Sequence, residues 1–153
     1  MVLSDSSQFH YCPSQLPLNK TNAMKEILHM TELHEDHKLW KNELDFYKDE
    51  LKIYTGRLEE LVVKYTNKEM LAELEHFQNT FMHHNSVIDG LIDEIKEHEL
   101  KFEAIVLANP VANDKVRFES HEEHEEHEEK ILTERKIYNE LKTDFTKFLR
   151  KYM

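Results

Sequence analysis

Residues 120–130 read SHEEHEEHEEK, so that His121, His124 and His127 recur at every third position in a tract that is otherwise almost all glutamate. Neutral imidazole is a good ligand for zinc, copper, nickel and iron, and carboxylates can complete or support such a site. The tract is not the zinc-protease helix, whose histidines stand four apart with glutamate after the first. Steps of three residues drift around a helix, so the three rings cannot all face one point. The glutamates between them read as a solvent-facing surface.

Other chemistry-bearing spacings fail in instructive ways. Di-iron bundles turn Glu-x-x-His pairs inward, but the matches here, Glu26/His29 and Glu73/His76, place their histidines off the apolar seams. The hemerythrin-like His-x-x-x-Glu spacing fails on the seam histidines, since Ile88 follows His84 at four and Phe102 follows His98. Two glycines leave no phosphate-binding loop. Cys12 stands alone, so neither an intrachain disulfide nor a thiolate cluster can form. Ser86 adjoins His83 and His84, yet neighbours in sequence point to different helix faces. Binding rather than catalysis is therefore the reading. An enzyme here would have to be an unfamiliar metal-site hydrolase or oxidase.

The elements that must position these residues are helices. With two glycines and three prolines in 153 residues, the chain lacks the turn residues a sheet needs every 8 to 12 positions. A net charge of −11 offers no basic stripe for nucleic acid or anionic membranes. No apolar run approaches the roughly 20 residues of a membrane span, and the start, MVLSDSSQFHYC, resembles no signal peptide. A reducing, cytoplasmic setting fits best.

Residues 1–21 read as an irregular tail and residues 22–153 as a single bundle, with helices over about 22–65, 67–108 and 110–152. In the first, Met30, Leu33, His37, Trp40, Leu44, Tyr47, Leu51, Tyr54, Leu58, Leu61 and Tyr65 alternate steps of three and four, a coiled-coil-like seam. Leu39, Phe46 and Ile53 add a second stripe that calls for a further neighbour. Thr66-Asn67-Lys68-Glu69 reads as a capping box with the threonine as cap. A second seam runs Met70, Leu74, Phe77, Phe81, His84, Ile88, Leu91, Ile95, His98, Phe102, Ile105 and ends at Ala108-Asn109-Pro110. The third is plain from Ile131 through Tyr138, Leu141, Phe145, Phe148 and Tyr152. Carried back by sevens it reaches Glu134, His127 and His124. The predicted fold is all-α: an antiparallel three-helix bundle of long coiled-coil-like helices. Their faces leave room for a homodimer or a protein partner.

Centring the two turns near residues 67 and 110 puts His37 level with Ile95 and His98, and His98 opposite the space between His121 and His124. Three helices thus bring histidine to one layer. The predicted site is a divalent transition metal, zinc-like, held by His37, His98, His121 and His124, with Asp36, Glu94 or Glu125 as fourth ligand or outer support. The competing reading satisfies the same atoms by hydrogen bonds or water, and leaves a structural or protein-interaction bundle. His84 reads as a core histidine bonded to a nearby tyrosine (Tyr47, Tyr54 or Tyr138).

The phrases HEDHKLWKNELDFYKDELK (34–52), EHFQNTF (75–81) and IDEIKEHE (92–99) resemble a family of small bacterial helical-bundle proteins to which no activity is assigned. The resemblance covers most of the chain after residue 30 and includes His34, His37 and His98. It implies the bundle and no mechanism.

Overall fold

A computed structural model describes the backbone of residues 18–108 and 114–153 and the side chains of residues 31–104 and 121–153. It has three helices, α1 (Leu18–Lys64), α2 (Lys68–Ala108) and α3 (Asp114–Tyr152), and no strand among the described residues. The expected tail lies mostly outside the described residues, and α1 already begins at Leu18, inside the stretch read as irregular. Two compact units divide the chain, residues 1–33 and residues 34–153. The first contributes the opening of α1.

The α-helical period builds this unit from three seams. Trp40, Leu44, Tyr47, Leu51, Leu58 and Leu61 from α1 meet Met70, Leu74, Phe77, Phe81, Ile88, Leu91 and Ile95 from α2 and Ile131, Tyr138, Leu141, Phe145 and Phe148 from α3 in one continuous core. Aromatic rings carry much of it: Tyr47 stacks on Tyr138 at 4.0 Å, and Phe145 lies within 5.3 Å of Tyr54, Phe77 and Phe81. Such rings each bury large apolar areas, the main favourable term in a bundle whose helices cannot rely on propensity alone.

Cross-links fix directions. Lys41 reaches Glu99 and Lys48 reaches Asp89, so α1 and α2 are antiparallel. Lys130 pairs with Glu94 and Lys151 with Glu73, so α2 and α3 are antiparallel too. Arg135 grips Glu43 with two bonds of 2.7 Å and Lys142 holds Glu50, so α1 and α3 run parallel. The α1–α2 turn is capped one residue later than the sequence suggests. Asn67 Oδ1, not the threonine, accepts from Glu69 N–H at 2.9 Å, which satisfies one of the free donors of the first turn.

The second stripe of α1 faces outward. Leu39, Phe46 and Ile53 are 62%, 55% and 62% exposed and meet no neighbour that covers them within the described residues. Three helices already give each seam its two partners, so the adjoining face is left outward.

Candidate metal centre

The seams put a histidine from each helix into one buried layer. His37 of α1, His98 of α2 and His124 of α3 are all 5% exposed or less. His37 Nε2 lies 3.1 Å from His98 Nδ1 and 3.2 Å from His124 Nδ1. The three are close enough together for one ion to reach a ligand atom from each. Trp40, one turn along from His37, stacks on the His124 ring at 4.8 Å and closes the layer with an apolar wall.

The outer nitrogens face carboxylates. His37 Nδ1 is 3.8 Å from Glu99, His98 Nε2 is 3.8 Å from Glu123, and His124 Nε2 is 3.4 Å from Asp36. These spacings are long for hydrogen bonds but close for charge and ring. The arrangement is cyclic. Asp36 precedes His37 in sequence and faces His124; Glu123 precedes His124 and faces His98; Glu99 follows His98 and faces His37. A residue next to a seam position sits at the seam's edge, where a carboxylate can reach across to the adjoining helix.

Hydrogen-bond arithmetic explains why the layer is unusual. A neutral imidazole nitrogen carries either one proton or one lone pair. His37 Nε2 therefore satisfies one of its two ring neighbours fully and the other poorly, whichever tautomers are chosen. If the outer N–H groups turn to their carboxylates, three lone pairs converge on one point with no proton between them. A cation resolves that conflict. Zinc holds nitrogens at 2.0–2.1 Å, so the edge of its tetrahedron is about 3.3–3.4 Å. The two nitrogen pairs here are within a few tenths of an ångström of it.

Burial also favours the neutral, ligating form of His37 and His124. Burial, then the neighbouring His98 and His124, push His37 down to about 4, against a weaker pull from Glu99. Burial likewise lowers His124, with Asp36 opposing, and lowers His127, where His98 adds to burial and Glu94 opposes. Metal binding requires the neutral ring, so these shifts remove a competing proton.

Of the histidines picked out from the sequence, the fold brings together His37, His98 and His124. His121 points elsewhere: it is exposed, and its Nε2 lies 3.4 Å from Glu125 on its own helix. Three residues fall about 60° short of a full turn, and the seam that continues through Ile131 passes through His124 rather than His121. Asp36 takes the expected supporting place, whereas Glu125 serves His121 and Glu94 serves His127 and Lys130. Glu99 and Glu123 were not read from the sequence, although adjacency to a seam histidine marks both. His84 is buried as expected, but its partner is Glu134 at 2.6 Å rather than a tyrosine. The Tyr138 hydroxyl instead donates to Tyr47 O or Glu50. His76 and His83 are exposed, as is His34. No helix among the described residues is long and apolar enough to cross a membrane.

Comparison with family models, curated proteins and solved structures finds no match to this chain.

Proposed function

We propose that this chain is a non-enzymatic binding protein that holds a divalent transition metal, zinc-like in its preference for imidazole, between His37, His98 and His124. The observation that carries this reading is the pairing of inward and outward nitrogens: three inner nitrogens within 4.8 Å of one another, three outer nitrogens each facing a carboxylate. Carboxylate–histidine–metal triads are built this way, the carboxylate fixing the tautomer and raising ligand basicity. With the outer N–H groups turned to their carboxylates, the cluster without an ion would leave its lone pairs opposed, and with other tautomers one ring contact stays poorly satisfied. Membership of the bacterial helical family that the sequence resembles, and a cytoplasmic location, belong to the same proposal.

Thermal unfolding of chelator-treated protein tests it. A ligand that binds only the folded state stabilises by about 2.7 kcal/mol at a hundredfold excess over Kd, so zinc chloride should raise Tm by several degrees. His98→Ala should abolish the rise. The reading fails if zinc, nickel and cobalt all leave the wild-type curve unmoved.

A second reading, a structural bundle that binds a partner protein, draws on the exposed stripe of Leu39, Phe46 and Ile53. Large apolar side chains in line on one face commonly mark an interaction surface. The two readings are compatible.

A further inference from the structure

His127 repeats the polarity of the three layer histidines. Its Nε2 turns to a carboxylate, Glu94 Oε2 at 3.5 Å, and its Nδ1 is buried. Unlike theirs, this buried nitrogen has no hydrogen-bond partner, the one such side-chain atom among the described residues. Buried polar atoms without partners are rare in native folds and each calls for an explanation. The ring is 5.2 Å from that of His98, edge to face, and lies one turn beyond His124 on the same helix. Residues at i and i+3 share a helix face, so the two rings can be brought towards one point by side-chain rotation.

Beside it is a cavity of about 220 Å³ between α2 and α3. His98 and His127 line it together with Glu94, Glu97, Glu123 and Glu126, four carboxylates against two lysines, Lys101 and Lys130. A cation is drawn to such a recess, and from it meets His127 and His98 together. Three imidazoles leave the fourth position of a tetrahedral ion open.

Resting on the metal reading above, we infer that His127 is the fourth ligand, its Nδ1 swinging in from the α2–α3 recess to close a four-histidine centre over the ion. The structure gives this residue the two features a closing ligand needs: an unsatisfied inner nitrogen and an outer nitrogen already held by a carboxylate. Its position lies outside the group formed by the other three, and a closed four-nitrogen shell suits a structural or storage site rather than a catalytic one.

The experiment compares wild type, His127→Leu, His127→Gln and His98→Ala, all full-length and chelator-treated, with zinc chloride and cobalt chloride as probes. The substitution removes an unpartnered buried nitrogen, and the half-exposed Glu94 keeps Lys130 as its partner at 2.9 Å, so the leucine variant should match or exceed wild type in Tm without metal. Its zinc affinity should nevertheless fall by at least about a hundredfold, the upper end of what losing a mere outer-shell support costs. X-ray absorption of the zinc form should count four imidazoles in wild type and three in both His127 variants, with the cobalt spectrum changing in step. The inference is overturned if wild type binds zinc with three imidazoles, or if the His127 variants bind with unchanged affinity and spectrum. It is also overturned if the leucine variant loses apo stability, which would make His127 a structural residue. Failure of wild type itself to bind either ion would instead sink the metal reading, a result that the His98 variant would then share.

Discussion

His84 Nδ1 stands 2.6 Å from Glu134 Oε1 across the α2–α3 interface, with both side chains buried. The pair lies on the seams, where an aliphatic residue would pack without any polar obligation. Its geometry makes the two residues interdependent. Removing one leaves the other buried with no compensating group.

The first prediction follows from that dependence. His84→Leu should cost about 3–5 kcal/mol, because it strands the Glu134 carboxylate in the core. Glu134→Leu strands a buried ring nitrogen and should cost less, about 1–3 kcal/mol. The double variant should recover most of the loss, since an apolar pair of similar volume is often neutral or better. Urea unfolding at pH 7 measures all three. A double variant as weak as the sum of the singles would contradict the argument.

How far this was legible in the sequence depends on which physical signal carried it. Burial along a seam is a matter of period, so Leu44, Leu51, Phe81, Ile88 and Tyr138 could be read as core with no structure. The layer at His37 and His98 needed only the turn positions, which fix an antiparallel register. His124 lies on the seam carried back by sevens from Ile131 and His121 does not, but the level estimate places His98 between the two and by itself does not separate them. The partner of His84 was misread because a seam glutamate was not credited as a hydrogen-bond acceptor, although Glu134 lay on the extrapolated seam. The stripe of Leu39, Phe46 and Ile53 was legible as an apolar face, but what covers it was not, since composition shows that a face is apolar and not what meets it.

A second prediction concerns the carboxylate ring. Asp36→Asn keeps the size of the side chain and removes its charge from His124 Nε2. Asp36 is not itself buried, so apo stability should change by under about 0.5 kcal/mol. Zinc affinity should fall about 10–100-fold, as for other outer partners of ligating histidines. Competition titration against a chromogenic chelator reads the loss. Equal affinity would mean that Asp36 does not orient the ring.

Helix interiors supply a third. Gly56 and Gly90 both sit inside helices, and a methyl group built on either meets nothing within 4 Å. Neither has a positive φ. Alanine therefore removes backbone freedom from the unfolded chain at no steric cost. Gly56→Ala and Gly90→Ala should each stabilise by about 0.5–1 kcal/mol and add in combination, the sites being far apart in sequence on different helices. A fall in the urea midpoint for either variant would show that the fold itself needs the glycine at that position.

The last prediction is the acid sensitivity of the metal-free protein. Folding holds His37 at about 4, against 6.5 for the free side chain, and lowers His124 and His127 in the same direction. Above pH 6.5 these rings are neutral in both states and the shift has no effect. Between about 6.5 and 4 the unfolded chain takes up protons that the folded one refuses, so stability falls as pH falls. Below about 4 His37 protonates in the fold as well and its slope vanishes. From pH 7 to 5.5 His37 alone should remove about 1 kcal/mol, with the other two adding to it. Carboxylates held low by cations, such as Glu43 beside Arg135, act in the same sense but only below their ordinary range near 4.5, outside this window. Urea unfolding in the presence of chelator at pH 7.5, 6.5 and 5.5 measures the slope, and His37→Leu should flatten it. An unchanged slope in that variant would move the acid sensitivity to histidines outside the buried layer.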